Sequence, residues 1–221
     1  MGFPNVDIFL AKAFLDGFHA QQLDPTPAIA DIFEDLDTDE RGSIEQYLAS
    51  LTVTGDVRDH KEHNRFLYVM PNFPLLGYPF PQIGISLGQE SASDKFMGDY
   101  TGDPVAVADS HGTVIGYDQE KGYLAAGSWN IDIVCATKPE AAWLSRFCQY
   151  FICQSLTALS QIGVMEVAIA LADMKLEAQQ TMQPSEIFNR RLMVTAKVAN
   201  TWKIRLPLAG TYETGINEAA V

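Results

Sequence analysis

The chain has 221 residues, 47% of them hydrophobic, and a formal net charge of -13. This is enough apolar material for one well-packed domain with an extension, and too much for an intrinsically disordered chain. The acidity speaks against a freestanding nucleic-acid-binding module, which needs clustered Lys and Arg, and against docking on an anionic membrane surface.

The three cysteines, Cys135, Cys148 and Cys153, make a poor disulfide framework. Cys148 and Cys153 lie on a predicted helix at a spacing that points them in different directions. They read as buried free thiols, as in a reducing compartment such as cytoplasm. The N-terminus lacks the basic and apolar regions of a signal peptide, and no apolar run is long enough to span a bilayer.

In chain order, Asn5 to Leu23 predicts an amphipathic helix, with Val6, Phe9, Leu10, Ala13, Phe14 and Phe18 along one face. Pro25 and Pro27 stop it. A second short helix is expected from Pro27 to Leu36, and the acidic stretch Asp35 to Ser43 reads as a loop. Phe66 to Met70 is a strand candidate, followed by a proline-rich break. Ile83 to Leu87 alternates as a strand. The span from Gly88 to Gly127 is rich in Gly, Asp and Ser, with short apolar pieces. It reads as a long β-hairpin arm or an extended loop, since a structureless excursion of that length is unusual in a compact domain.

Trp129 to Ala136 alternates as a strand. Thr137-Lys138-Pro139-Glu140 then supplies a capping pattern with proline in the first turn, opening a helix to about Gln161. Gly163 is its natural stop. Val164 to Met174 reads as a strand, with a helical alternative over Ala168 to Leu176. Gln179 to Ser185 reads as a turn. Phe188 to Val198 is a strand, continued by Trp202 and Ile204 past a break at Asn200. The expected class is α+β: a mostly antiparallel sheet with helices on one face and a long hairpin arm or loop. The expected division is an N-terminal helical segment at 1–65, an α+β core at 66–206 with the arm at about 88–128, and a tail at 207–221.

Chemical motifs are weak. Asp37-Thr38-Asp39-Glu40-Arg41-Gly42 resembles the start of an EF-hand loop, but Arg41 and Leu48 stand where calcium needs oxygen ligands. It reads as an acidic surface turn. His60 and His63 fall short of the ligand number a zinc site requires. There is no nucleophile elbow and no phosphate-binding glycine loop. No catalytic, metal-binding or cofactor-binding residue is expected, and no cofactor. Asn189-Arg190-Arg191 is a short basic cluster that offers a contact for nucleic acid, but beside Glu186 in an acidic chain it reads rather as part of an intersubunit or intrachain ion pair.

Three pieces taken in order resemble the tail-terminator and neck proteins of tailed bacteriophages. The first is Phe80-Pro81-Gln82-Ile83-Gly84-Ile85-Ser86-Leu87 with the later Met97-Gly98-Asp99-Tyr100-Thr101-Gly102. The second is the strand Trp129 to Ala136 running into its capped helix. The third is Phe188-Asn189-Arg190-Arg191-Leu192-Met193-Val194, continuing to Trp202. The resemblance covers roughly residues 78–205, and its weight lies in the order of the pieces. It implies a non-enzymatic virion protein that forms a closed ring, usually a hexamer, at the head-proximal end of the tail. Its partners would be copies of itself, the tail-tube protein, the sheath protein in a contractile tail, and the head connector. DNA would pass through the acidic lumen without sequence-specific binding, and assembly would take place in the host cytoplasm. Arg190, Arg191, Asp99 and Tyr100 are the candidate subunit-interface residues. The competing expectations are another neck or head-completion adaptor, a tail-tube subunit, a small-ligand-binding module or an unrecognised enzyme.

Overall fold

The computed structural model describes residues 5–55, 65–71, 80–92, 99–100, 104–174 and 187–207. Helices α1 (Val6–Leu23), α2 (Thr26–Ile32) and α3 (Thr38–Ser50) precede strands β1 (Leu51–Thr54), β2 (Arg65–Met70), β3 (Gln82–Ala92), β4 (Asp99–Tyr100), β5 (Val105–Ala108) and β6 (Val114–Cys135). Helix α4 (Lys138–Gln161), β7 (Val164–Met174) and β8 (Phe188–Pro207) follow. All eight strands belong to one sheet, ordered β1-β2-β3-β6-β8-β7, with β4 and β5 pairing with β6 beyond the end of β3. The β1–β2 and β2–β3 pairs are parallel and the rest antiparallel, so the α+β class with a mostly antiparallel sheet is what the fold displays.

One hydrophobic core lies between the helices and one face of the sheet. Alternate residues of four neighbouring strands feed it: Leu67 and Val69, Ile83 and Ile85, Trp129, Ile131 and Ile133, then Leu192, Val194, Ala196 and Val198. Register makes this consistent, because Val69 stands opposite Ile83, Ile83 opposite Ile133, and Ile131 opposite Leu192. Above them, α4 buries Leu144, Phe147, Cys148, Phe151 and Ile152 at helical spacing, and α1 buries Leu10, Phe14 and Phe18. Phe18 packs edge-on against Phe151 at 5.0 Å between ring centroids and tilted against Phe147 at 6.1 Å. Such geometry adds about 0.5–1.5 kcal/mol per pair beyond the area buried.

Several expectations need correction. The loop expected over Asp35 to Ser43 is confined to residues 35–37, and the rest is helix. Asp37 caps α3, its carboxylate accepting from the Glu40 backbone N–H at 2.8 Å while Glu40 reaches back to the Asp37 N–H. This reciprocal capping box starts a helix whose Ile44, Tyr47 and Leu48 reach the core. The helix expected over Pro27 to Leu36 ends at Ile32. Residues 5–55 hold three helices and a short strand. They contribute β1 to the sheet edge, and α1, α2 and α3 pack into the same core as α4 and the sheet. No break occurs at Asn200, which pairs with Tyr123 in an unbroken β6–β8 ladder. Ala168 to Met174 is strand, not helix. Cys135 and Cys148 are buried, but Cys153 is exposed, because its position on α4 turns it away from the core. Pro207, expected to open the tail at 207–221, is instead the last residue of β8, and the rest of that tail, His60, His63 and the turn at Gln179 to Ser185 lie outside the described residues.

Candidate functional site

The basic pair identified in the sequence resolves into two intrachain ion pairs on opposite faces of the sheet. Successive residues of a strand point to opposite sides, so Arg190 and Arg191 must diverge. Arg191 faces away from the helices and stands directly opposite Asp132. Its Nε and a terminal nitrogen donate to the two carboxylate oxygens at 2.7 and 2.9 Å. The Asp132 side chain is only 4% exposed, and this bidentate partner raises the Arg191 pKa further above its ordinary value. Arg190 faces the helices, where Nε donates to Asp173 at 2.7 Å and a second nitrogen donates to Ser145 Oγ of α4 at 3.2 Å. Both guanidinium groups are thus committed within the chain, tying β8 to β6 on one side and to β7 and α4 on the other.

Asp99 and Tyr100 form β4 and pair with Gly122 and Lys121 of β6. They stand well along the strand from the two arginines, whose partners in the ladder are Asp132 and Ile133. The four sequence-selected residues therefore do not converge on one point. What joins them is β6 itself, which runs for 22 residues.

That length defines the arm. The Trp129–Cys135 half of β6 lies in the core, while none of the described side chains of Val114–Leu124 or of β5 joins the core cluster. At about 3.3 Å per residue the outer half extends roughly 35 Å. It is held by β5 and β4 along one edge and by β8, through Pro207, along the other. The β5–β6 hairpin closes through Asp109, whose side chain accepts from the His111 and Thr113 backbone N–H groups at 2.8 and 2.9 Å. Gly112 sits there at φ +80°, a conformation that glycine reaches without a Cβ clash. The arm leaves apolar side chains in solvent: Val105 is 67% exposed, Ile115 48% and Tyr117 38%.

Two further surfaces complete the inventory. An open groove of about 470 Å³ lies between α1 and α4, lined by Phe9, Lys12, Asp16, Phe151 and Gln154. Strand β7 pairs only with β8 among the described residues, so its other edge is open. Asp37 of the EF-hand-like stretch is occupied as a helix cap. Among the described residues no group of three or more His, Cys, Asp or Glu side chains is placed to hold a metal ion. No helix among them is long and apolar enough to cross a membrane.

Comparison with known proteins yields no matching family model and no matching curated protein.

Proposed function

We propose that this chain is a virion structural subunit: a tail terminator of a tailed bacteriophage that forms a ring at the head-proximal end of the tail. In this role it caps tail-tube polymerisation and joins the tail to the head connector. The observation that carries the reading is the arm, which holds Val105, Ile115 and Tyr117 in solvent at 67%, 48% and 38% exposure, outside the core cluster. Exposed apolar surface on a rigid, hydrogen-bonded projection costs solubility and is retained where another protein covers it. The order of the three sequence pieces within residues 78–205 supplies the phage context.

Two other features support it. The open edge of β7 offers unpaired backbone groups to an incoming strand. The net charge of -13, with Arg190 and Arg191 both neutralised inside the chain, suits a lumen wall that DNA slides past. Strand addition between copies gives each subunit two different contact surfaces, the condition for a closed ring.

Negative-stain imaging of the purified full chain, alone and mixed with tail tubes, tests the reading. Annular particles, or caps at one end of each tube, are the expected result. Long tubes formed by the chain alone would reassign it as a tube subunit. Particles that neither close into rings nor bind tube ends would remove the tail reading.

A further inference from the structure

We infer that β5 and β7 are the two halves of one joint between copies of this chain, the outer edge of β5 on one copy adding antiparallel to the outer edge of β7 on the next. The inference rests on the reading of the chain as an assembling subunit, and it names the surfaces that assemble.

Strand β7 lacks most of the devices that normally protect an edge. It contains no proline and no lysine. Its one bulge, at Glu166 and Val167, leaves Ala168–Met174 in unbroken register with β8. Its two acids are drawn sideways, Glu166 to Lys197 at 2.8 Å and Asp173 to Arg190 at 2.7 Å. The stretch between them, Val-Ala-Ile-Ala-Leu-Ala, carries no charge, and Leu171 is 42% exposed. An edge of this kind pairs with another strand.

The sequence of β5, Val-Ala-Val-Ala, is its counterpart. Val105 and Val107 pair with Asp118 and Gly116, which share the sheet face of Asp132, away from the helices. Ala106 pairs with Tyr117 on the helix side. On β7 the assignment is reversed. Ala168, Ala170 and Ala172 stand opposite Thr195, Met193 and Arg191 on the face away from the helices, while Ile169 and Leu171 stand opposite Val194 and Leu192 on the helix side. Joined edge to edge, β5 and β7 set a valine beside an alanine on one face and an alanine beside isoleucine or leucine on the other. Cross-strand neighbours of unequal size fill the pleated surface evenly. Pairing β7 with a second β7 would set Ala against Ala on one face and crowd Ile and Leu on the other.

Direction and position agree. β5 is antiparallel to β6, β6 to β8 and β8 to β7, so β5 and β7 run antiparallel within one chain. Head-to-tail repetition preserves strand directions, so β5 of one copy meets β7 of the next antiparallel. The outer edges of β5 and β7, both without a partner strand among the described residues, lie on opposite sides of the β6–β8 pair, as a heterologous contact requires.

Directed cross-linking tests the joint. In a full-length Cys153→Ser background, Val107→Cys and Ala170→Cys are made as separate proteins, mixed and mildly oxidised. Val105→Cys mixed with Ala170→Cys, and Val107→Cys mixed with Ala172→Cys, are run in the same way to cover adjacent registers. A paired position brings Cα atoms within disulfide reach. The mixture should yield at least tenfold more disulfide-linked dimer than either protein alone. Ala106→Cys mixed with Ala170→Cys, which sit on opposite faces, should yield no excess. No excess in any mixture, or equal cross-linking by Ala170→Cys alone, overturns the joint. Light scattering on the unoxidised samples separates the two levels: a defined oligomer without the mixed cross-link removes only the joint, and a monomer without it counts against the assembling-subunit reading as well.

Discussion

Arg191 on β8 and Asp132 on β6 stand directly opposite one another and close a two-pronged ion pair, 59 residues apart in sequence. The carboxylate is almost wholly buried, and both of its oxygens accept from this one guanidinium. Arg191→Ala should therefore cost about 2–3 kcal/mol, less than a fully buried pair because the guanidinium keeps some solvent. Arg191→Lys should recover under half of that, since one ammonium cannot serve both oxygens in plane. Arg190→Ala should cost only about 1 kcal/mol, because Asp173 is 70% exposed and solvates itself when its partner is removed. Urea unfolding monitored by tryptophan fluorescence ranks the three. Arg190→Ala proving the more damaging of the two alanine variants would contradict this assignment.

The contact between α1 and α4 depends on Gly17. A methyl group built there would lie 2.9 Å from the Phe151 ring, which is itself wedged against Phe14, Phe18 and Phe147. Gly17→Ala would gain about 1 kcal/mol of helix propensity. Overpacking against a ring already held by three other phenylalanines costs about 1–3 kcal/mol. The second effect should win, giving a net loss of order 1 kcal/mol and a lower melting temperature. A more stable Gly17→Ala variant would show that the two helices can separate at little cost.

The three thiols should separate into two classes. Cys135 and Cys148 are fully buried, and burial pushes the Cys148 thiol up, away from the reactive thiolate. Cys153 is exposed on the opposite side of α4. One equivalent of a thiol reagent should react promptly with the native protein and three in denaturant. The two slow thiols must wait for opening that costs several kcal/mol, a lag of roughly a thousandfold or more. Three prompt equivalents would place a core cysteine at the surface.

The sequence made α4 legible because its signals are local: the Thr137 cap, the proline in the first turn, the 3-4 spacing through Phe151, and Gly163, which the fold holds at φ +85°. Helix α3 was obscured by its composition. Only Ile44, Tyr47 and Leu48 are buried in a polar stretch, and the acids at Asp37, Asp39 and Glu40 imitate a metal loop. The spacing Asp37-x-x-Glu40 was the available signal. The continuity of β6 was hidden for a different reason. Glycines at Gly116, Gly122 and Gly127 interrupt its alternation, and the strand persists because β8 pairs with one edge from Gly116 to Cys135 while β5, β4 and β3 pair in turn with stretches of the other. Register between distant strands, which decides that Arg191 meets Asp132 while Arg190 turns to Asp173, has no local signature at all.

The arm should be breakable without unfolding the core. Gly112 holds the β5–β6 turn at φ +80° with open space around it, so Gly112→Ala meets no clash and pays only for the left-handed backbone, about 1–2 kcal/mol. That penalty falls on a hairpin whose residues lie outside the core cluster. The global melting temperature should stay within a degree or two, while amide hydrogen exchange in Val105–Ala108 and Val114–Asp118 should quicken by roughly tenfold. Assembly should weaken in parallel if the arm carries the contact between copies. Equal acceleration of exchange in β6 at Ile131 and Ile133 would mean that arm and core open as one unit, and the division drawn at Leu124 would then have no energetic meaning.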